Sequence, residues 1–406
     1  MKKVVQDSLV YTFGEVISKL VPFIMLPYLT RELEVDGYAG LIKYQVIFSL
    51  VIIFLGFNQG GALTRYYYNK GSRLLGGVIL SGKIWTLSIY LIMLVFSVLF
   101  LEAYVVTAIT CALFNELLTV QLSIRQCFKK SVEYSLLNIG QAVLSVVVTV
   151  FVFELFSPTA EGRYIAITLS YFFVYLISCW VLKTRYKMKY NVTIRKVKLS
   201  LAYIFSFGGP LLLHNISIFF KSQFDKLVVM SEFETSELGI YYISIQLASI
   251  LSIIILSVNR AFVPYFYESL KTKKINYMII RKWSLVSLFI IPLPALLSAL
   301  IPESMFSLFL GAGFDNVHRI LPILVLGVTA IAPYLIITTY SYYVGDTKII
   351  GISSVISILT TVIYLIFISK NNLANIAYSQ LISNILSYVI IVLYYNLKVD
   401  DNDNES

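Results

Sequence analysis

Apolar stretches long enough to cross a bilayer recur along the whole chain, at approximately 8–29, 38–62, 76–100, 103–124, 134–156, 164–182, 200–221, 238–259, 283–301, 320–341, 348–369 and 373–396. About 20 helical residues span the hydrocarbon core, where every backbone polar group has to be satisfied within the protein. A succession of such stretches folds as a bundle of spanning helices. Composition agrees, with 58% of residues hydrophobic and 13% charged, where soluble domains carry roughly 25% charge. The expectation is an all-α polytopic membrane protein of about twelve transmembrane helices. The apolar run after Lys2 and Lys3 is too long for a cleaved signal peptide and lacks its small-residue site.

Charge alternates in the loops between these stretches. Arg31, Glu32, Glu34 and Asp36 make the first loop acidic, and Arg65, Lys70 and Arg73 make the second basic. Arg125, Lys129 and Lys130 mark the fourth, and the fifth holds Glu154, Glu161 and Arg163. The sixth carries seven basic residues between Lys183 and Lys198, and the eighth is basic again. The positive-inside rule then places even-numbered loops and both termini in the cytoplasm. The formal charge of +10 is therefore read as an orientation signal and a contact with membrane lipids, with no nucleic-acid partner. The basic loop divides the chain into an N-terminal six-helix bundle (1–182), a cytoplasmic linker (183–199), a C-terminal six-helix bundle (200–396) and an acidic cytoplasmic tail (397–406).

No loop exceeds roughly 20 residues, which leaves no room for a soluble catalytic domain. No G-x-x-x-x-G-K-[ST] phosphate loop occurs, which argues against an ATP-driven pump. A membrane polymerase or transferase is a poorer fit for the same lack of a large loop, and the chain is not expected to be an enzyme. Cys111, Cys127 and Cys179, like His214 and His318, are too widely spaced to indicate a metal site or a cofactor.

The first stretch, Ser8 to Thr30, carries Glu15 and Lys19 four residues apart, followed by Pro22 and Pro27. A charge at the centre of a spanning helix costs at least about 2.5–3.5 kcal/mol. The i, i+4 spacing lets the pair share one helix face, and the prolines permit a bend. Two readings stand side by side, a wall of a transport cavity and a structural ion pair. An internal repeat is also visible. Residues 40–68 lie over 239–267 without a gap, so that Ala62, Tyr66 and Tyr68 meet Ala261, Tyr265 and Tyr267, and TFGE at 12–15 lies over SFGG at 206–209. Six spans per half give the repeats one orientation, related by a pseudo-two-fold along the membrane normal.

With VPFIMLPYLTREL, GLIKYQ…FLGFNQGGALTRYYY, FGGPLLLHNISIFFKSQFDKLVV and FSLFLGAGFDNVHRILPILVLG, the chain resembles the Wzx-type polysaccharide flippases of the multidrug/oligosaccharidyl-lipid/polysaccharide exporter superfamily. The resemblance implies a V-shaped, MATE/MurJ-like fold of two bundles in the bacterial cytoplasmic (inner) membrane. It implies translocation of an undecaprenyl-pyrophosphate-linked oligosaccharide, an O-antigen or capsule repeat unit, by alternating access with bends at Pro22, Pro27 and Pro210. An ion gradient, of H+ or Na+, or the membrane potential would bias the step, and a polysaccharide polymerase and chain-length proteins are the expected partners. A multidrug/cation antiporter of the same superfamily and a non-transporting component of a glycan-assembly complex are the alternatives.

Against that background Glu15, Lys19, Lys43, Arg65, Lys83, Glu116, Asp225 and Arg260 are the candidate cavity charges. Basic members outnumber acidic ones, which suits an anionic head group and counts against a cation antiporter. Lys43 and Lys83 are close enough to helix ends to snorkel instead. Glu116, near the middle of its span, is expected to pair with one of these lysines or to serve proton coupling. Asp225 is read as capping or pairing with Lys221 or Lys226. Arg65 with Tyr66, Tyr67 and Tyr68 is read either as a phosphate and sugar contact at the cytoplasmic mouth or as an interfacial anchor.

Overall fold

Apolar length fixes helices, and the breaks between them fall where the local sequence weakens the ladder. The structure, a computed structural model, describes residues 2–71, 75–185, 193–367 and 372–404; at 2–9, 210, 213, 260, 261, 264, 347 and 399–404 it describes the backbone alone. Among the described residues there is no strand. The helices are α1 (Lys2–Ile24), α2 (Leu26–Gly56), α3 (Gln59–Lys70), α4 (Leu75–Phe100), α5 (Ala103–Cys127), α6 (Ser131–Leu155), α7 (Ala160–Arg185), α8 (Ile194–Glu232), α9 (Thr235–Lys271), α10 (Tyr277–Ile290), α11 (Pro292–Ala299), α12 (Glu303–Leu310), α13 (Val317–Thr329), α14 (Ile331–Val344), α15 (Thr347–Phe367) and α16 (Leu373–Asn404).

Ten spans are long and apolar enough to cross a membrane among the described residues, or 11 if the bent pair Ile194–Gly209 and His214–Glu232 is one span. The expected 8–29 span runs from α1 across Met25 into the first turn of α2, and α1 is not one of the ten. Asp7, Glu15 and Lys19 make it more polar than the rest. α1 ends beside Pro22, where Met25 N–H donates to Pro22 O at 3.2 Å, and α2 restarts with Pro27 in its first turn. There the missing proline donor costs no hydrogen bond. The two prolines thus bracket a break at Met25. The acidic first loop shrinks to one residue, Glu34, with φ 54° inside α2. The expected 38–62 span is not one helix: Phe57 (φ 42°) and Asn58 (φ 57°) separate α2 from α3.

The chain divides into two compact units, the first comprising Met1–Leu33 and Gly40–Phe219, the second Glu34–Ala39 and Phe220–Ser406. The division falls within α8, later than the 183–199 linker. In unit 1, α1 lies on α6, α5 lies against α4 and α7, and α3 rests on α5. One apolar core gathers Phe57, Leu63, Ile79, Ile124 and Ile204, and a second gathers Val51, Leu55, Ile109, Leu113 and Leu117. In unit 2, α13 packs with α9 and α16, α15 with α16, and α10 with α14, around Tyr277, Ile280, Ile337, Ile391 and Tyr395. The short Glu34–Ala39 segment belongs to this unit. Val35 occupies the space a β-carbon on Gly239 or Gly313 would need. Tyr38 is fully buried, donates to Gln246 Oε1 at 2.8 Å and packs its ring near Tyr242 and Phe314.

Two arginines counted as loop charges in the sequence are buried. Arg125, 1% exposed, donates to Gln121 Oε1 and to the Gln121 and Ser178 carbonyls, and lies 3.9 Å from Glu133, which also meets Arg185 at 3.4 Å. Arg163 donates to Ser145 O at 2.9 Å and to the Thr149 hydroxyl. Each sits near a helix end, where side-chain and carbonyl acceptors make burial of a guanidinium tolerable.

Candidate functional site

The α2–α3 break is the most elaborated local structure in unit 1. Interrupting a span frees backbone carbonyls that lipid cannot solvate. Here they have donors. Trp85 Nε1–H on α4 donates to Phe54 O at 3.1 Å, Thr86 Oγ1 donates to Leu55 O at 3.1 Å, and Gln59 Nε2 donates to Leu55 O at 3.0 Å and to Thr86 Oγ1 at 2.8 Å. Phe57 N–H closes the last turn of α2 on Ile53 O, and Ala62 N–H opens α3 on Asn58 O. The Asn58 side chain does not cap α3. Gly56, buried, leaves room for Glu116: a β-carbon there would lie 2.7 Å from Glu116 Oε2. Glu116 is 6% exposed. Its expected lysine pairing is absent among the described residues, because Lys83 holds its ammonium over the Tyr175 ring at 5.5 Å and Lys43 is exposed on α2.

Along α3 the cations lie on aromatic faces. Arg65 stands 5.5 Å over Phe207, and Lys70 stands 5.7 Å over Tyr66 and 5.8 Å over Tyr203. Tyr203 donates to Ala62 O at 3.4 Å, tying the start of α8 to α3 within unit 1. Of the three tyrosines beside Arg65, Tyr66 is buried in the first core, Tyr67 packs edge-on to Phe128 and Tyr68 alone is exposed. Of the three tyrosines, only Tyr68 therefore has an open ring. On α1, Lys19 Nζ meets Glu15 Oε1 at 2.7 Å, as the spacing predicts.

In unit 2, Tyr241 donates to Asp225 Oδ2 at 2.9 Å and Lys226 Nζ lies 3.6 Å from Oδ1. Lys221 instead sits 5.9 Å over the Tyr334 ring. Lys226 is the buried member of the two lysines and also donates to Ser222 O. Spacing alone offers no reason to prefer it, since the choice depends on where Tyr241 stands. The side chains of Arg260 and Pro210 lie outside the described residues. No group of three or more His, Cys, Asp or Glu side chains that could hold a metal occurs among the described residues, and the three cysteines are free.

A family model described as polysaccharide biosynthesis protein matches residues 4–270. Lsg locus putative protein 1 of Haemophilus influenzae is 36% identical over 399 residues, covering 98% of this chain and 99% of its own. A second H. influenzae membrane protein is 34% identical, covering 99% and 98%. Among solved structures, an inward-facing multidrug resistance MATE family transporter of the MOP superfamily superposes with a TM-score of 0.70 at 14% identity, covering 98% of this chain and 96% of that one. A point mutant of the Vibrio cholerae MATE transporter VcmN gives 0.64 at 16% identity, covering 98% and 97%. A Pyrococcus furiosus MOP superfamily transporter, with a binding pocket described as of reverse polarity, gives 0.63 at 14%, covering 98% and 96%. The helical, multi-pass, MATE-like fold is thereby established.

Proposed function

The chain belongs to the polysaccharide biosynthesis protein family, and we propose that it is a flippase for an undecaprenyl-pyrophosphate-linked oligosaccharide in the bacterial cytoplasmic membrane, with both termini cytoplasmic. The observation that carries this reading is the row of cations laid on aromatic rings along α3, Arg65 over Phe207 and Lys70 between Tyr66 and Tyr203. A guanidinium and an ammonium, both exposed on α3, bind a pyrophosphate through charge-assisted hydrogen bonds. Of the rings beneath those cations, the partly buried Phe207 and Tyr203 are the ones that can meet sugar, with the exposed Tyr68 beside them. The polyprenyl tail stays in lipid while head group and sugars cross by alternating access, with bends at Pro22, Pro27 and Pro210. A polymerase and chain-length proteins would take the product on the far side.

Deletion of the gene should leave the undecaprenyl-linked unit on the cytoplasmic face and remove surface glycan. Restoring the gene with Arg65→Ala and Lys70→Ala together should return tenfold less glycan or lower, since a hydrogen bond to a charged group contributes about 1.5–3 kcal/mol. Full glycan from the double variant overturns the site. Unchanged glycan on deletion, with raised sensitivity to cationic drugs, overturns the substrate in favour of an antiporter.

A further inference from the structure

Glu116 lies near the middle of α5, on the helix that gives Leu113 and Leu117 to the second apolar core. It is 6% exposed, its carboxyl fills the space left by Gly56, and among the described residues it has neither an ion-pair nor a hydrogen-bond partner. The charged and titratable groups on the elements around it are committed elsewhere. Lys83 on α4 lies over Tyr175 of α7, and Tyr171 of α7 lies beside Asn115. Arg65 on α3 lies over Phe207, and Glu133 at the start of α6 meets Arg125 and Arg185. Cys111 and Cys127 on α5 itself are free thiols. An ionised carboxylate left bare in such surroundings costs several kcal/mol, more than a helix of this kind can carry without a partner.

We propose that Glu116 is a proton-binding site: it holds H+ as a neutral acid while the α2–α3 break stands as described, and releases H+ when the first turn of α3 takes over the carboxylate. The break supplies the alternative partner. The carbonyls of Phe54 and Leu55 are already matched by Trp85, Thr86 and Gln59, whereas α3 begins at Gln59-Gly60-Gly61 with no side-chain cap. Uncapped N–H groups at a helix start favour an anion. A small turn about the left-handed Phe57 and Asn58 exchanges one state for the other. Sodium fits less well, since a hard cation needs several oxygens and the carbonyls at the break are taken. The proton site deepens the flippase reading by giving it a route to an ion gradient.

Trp85 reports on the break directly, with its Nε1 on Phe54 O and its ring 5.2 Å from Phe57. Trp180→Phe and Trp283→Phe leave it the sole tryptophan of the three in the chain. In lipid nanodiscs its emission should shift in a single step as pH is varied. The step should be lost in Glu116→Gln and should move in Glu116→Asp, with helix content unchanged by circular dichroism. The same step in Glu116→Gln, or no step in the parent, overturns the proposal. Should Glu116→Gln fail to fold, an unmoved step in Glu116→Asp overturns it instead. A step that shifts when sodium replaces choline at constant ionic strength overturns the proton in favour of sodium. No sugar substrate is needed, so failure here leaves the flippase reading standing, and failure of that reading leaves the titration untouched.

Discussion

Two stretches that the internal repeat sets side by side behave in opposite ways. Gly56, Phe57 and Asn58 lie over Ile255, Leu256 and Ser257 in the gapless register of 40–68 with 239–267. The first trio breaks a span with two left-handed residues, while the second sits inside α9, which runs unbroken from Thr235 to Lys271. Both stretches are apolar over a similar length, so apolarity does not decide. What differs is local and tertiary. GFNQGG offers glycines and an asparagine that resist the helix, whereas ILSVNR offers better helix formers. Ser257 turns its hydroxyl back to Ile253 O at 2.7 Å, within the helix. In the first half, Trp85 and Thr86 arrive from a neighbouring helix to receive the carbonyls that the break releases.

Filling Gly56 should have the largest effect on this contrast. Gly56→Leu drives a side chain into the Glu116 carboxyl and should destabilise by about 1–3 kcal/mol or more, whereas Ile255→Leu in α9 should cost less than about 1.5 kcal/mol. Thermal unfolding in detergent reads both, and equal losses would remove the idea that the break is built around the carboxyl. Next comes the supply of donors. Trp85→Phe leaves Phe54 O without its partner and should cost about 1–3 kcal/mol, with faster hydrogen exchange confined to residues 54–61. Exchange that stays slow there would mean the tryptophan serves packing alone. The smallest effect is the sharpest because it changes sign. Asn58→Gly relieves a left-handed residue, worth about 1–2 kcal/mol for an ordinary side chain, against the roughly 0.5–1 kcal/mol glycine loses in chain entropy, so a small net stabilisation is expected. Ser257→Gly weakens a continuous helix and should destabilise by up to about 1 kcal/mol. Shifts of the same sign would erase the distinction.

Much of the fold is legible in the chain because spanning helices leave a coarse signal. Apolar length alone locates most of the helices, and Pro22 and Pro27 mark the break at Met25 through their own missing donors. The break at 57–58 is hidden. GFNQGG carries turn residues, but they stand inside an apolar run, and without Trp85 and Thr86 nothing in the stretch says that a broken ladder can be tolerated. Arg125 and Arg163 mislead for a related reason. A charge beside a span fits a loop position, and only the acceptors of Ser178, Ser145 and Thr149 reveal that these two are buried. The Glu15–Lys19 pair is legible because four residues along one helix determine it. The setting of Glu116 is not, because its neighbour, Gly56, lies 60 positions away and contributes an absence of side chain.

The Glu34–Ala39 segment carries a consequence for how the protein is made. Tyr38 finds its acceptor on Gln246, 208 residues later in the chain. On the ribosome, the tyrosine leaves the tunnel long before Gln246 and the glycines that receive Val35 exist. The second unit therefore matures only after an early piece of the chain has been kept in waiting through the insertion of most of the first. A gene cut between the halves would separate that piece from the unit it completes, so the two halves are not independent modules of biogenesis even though each has its own core.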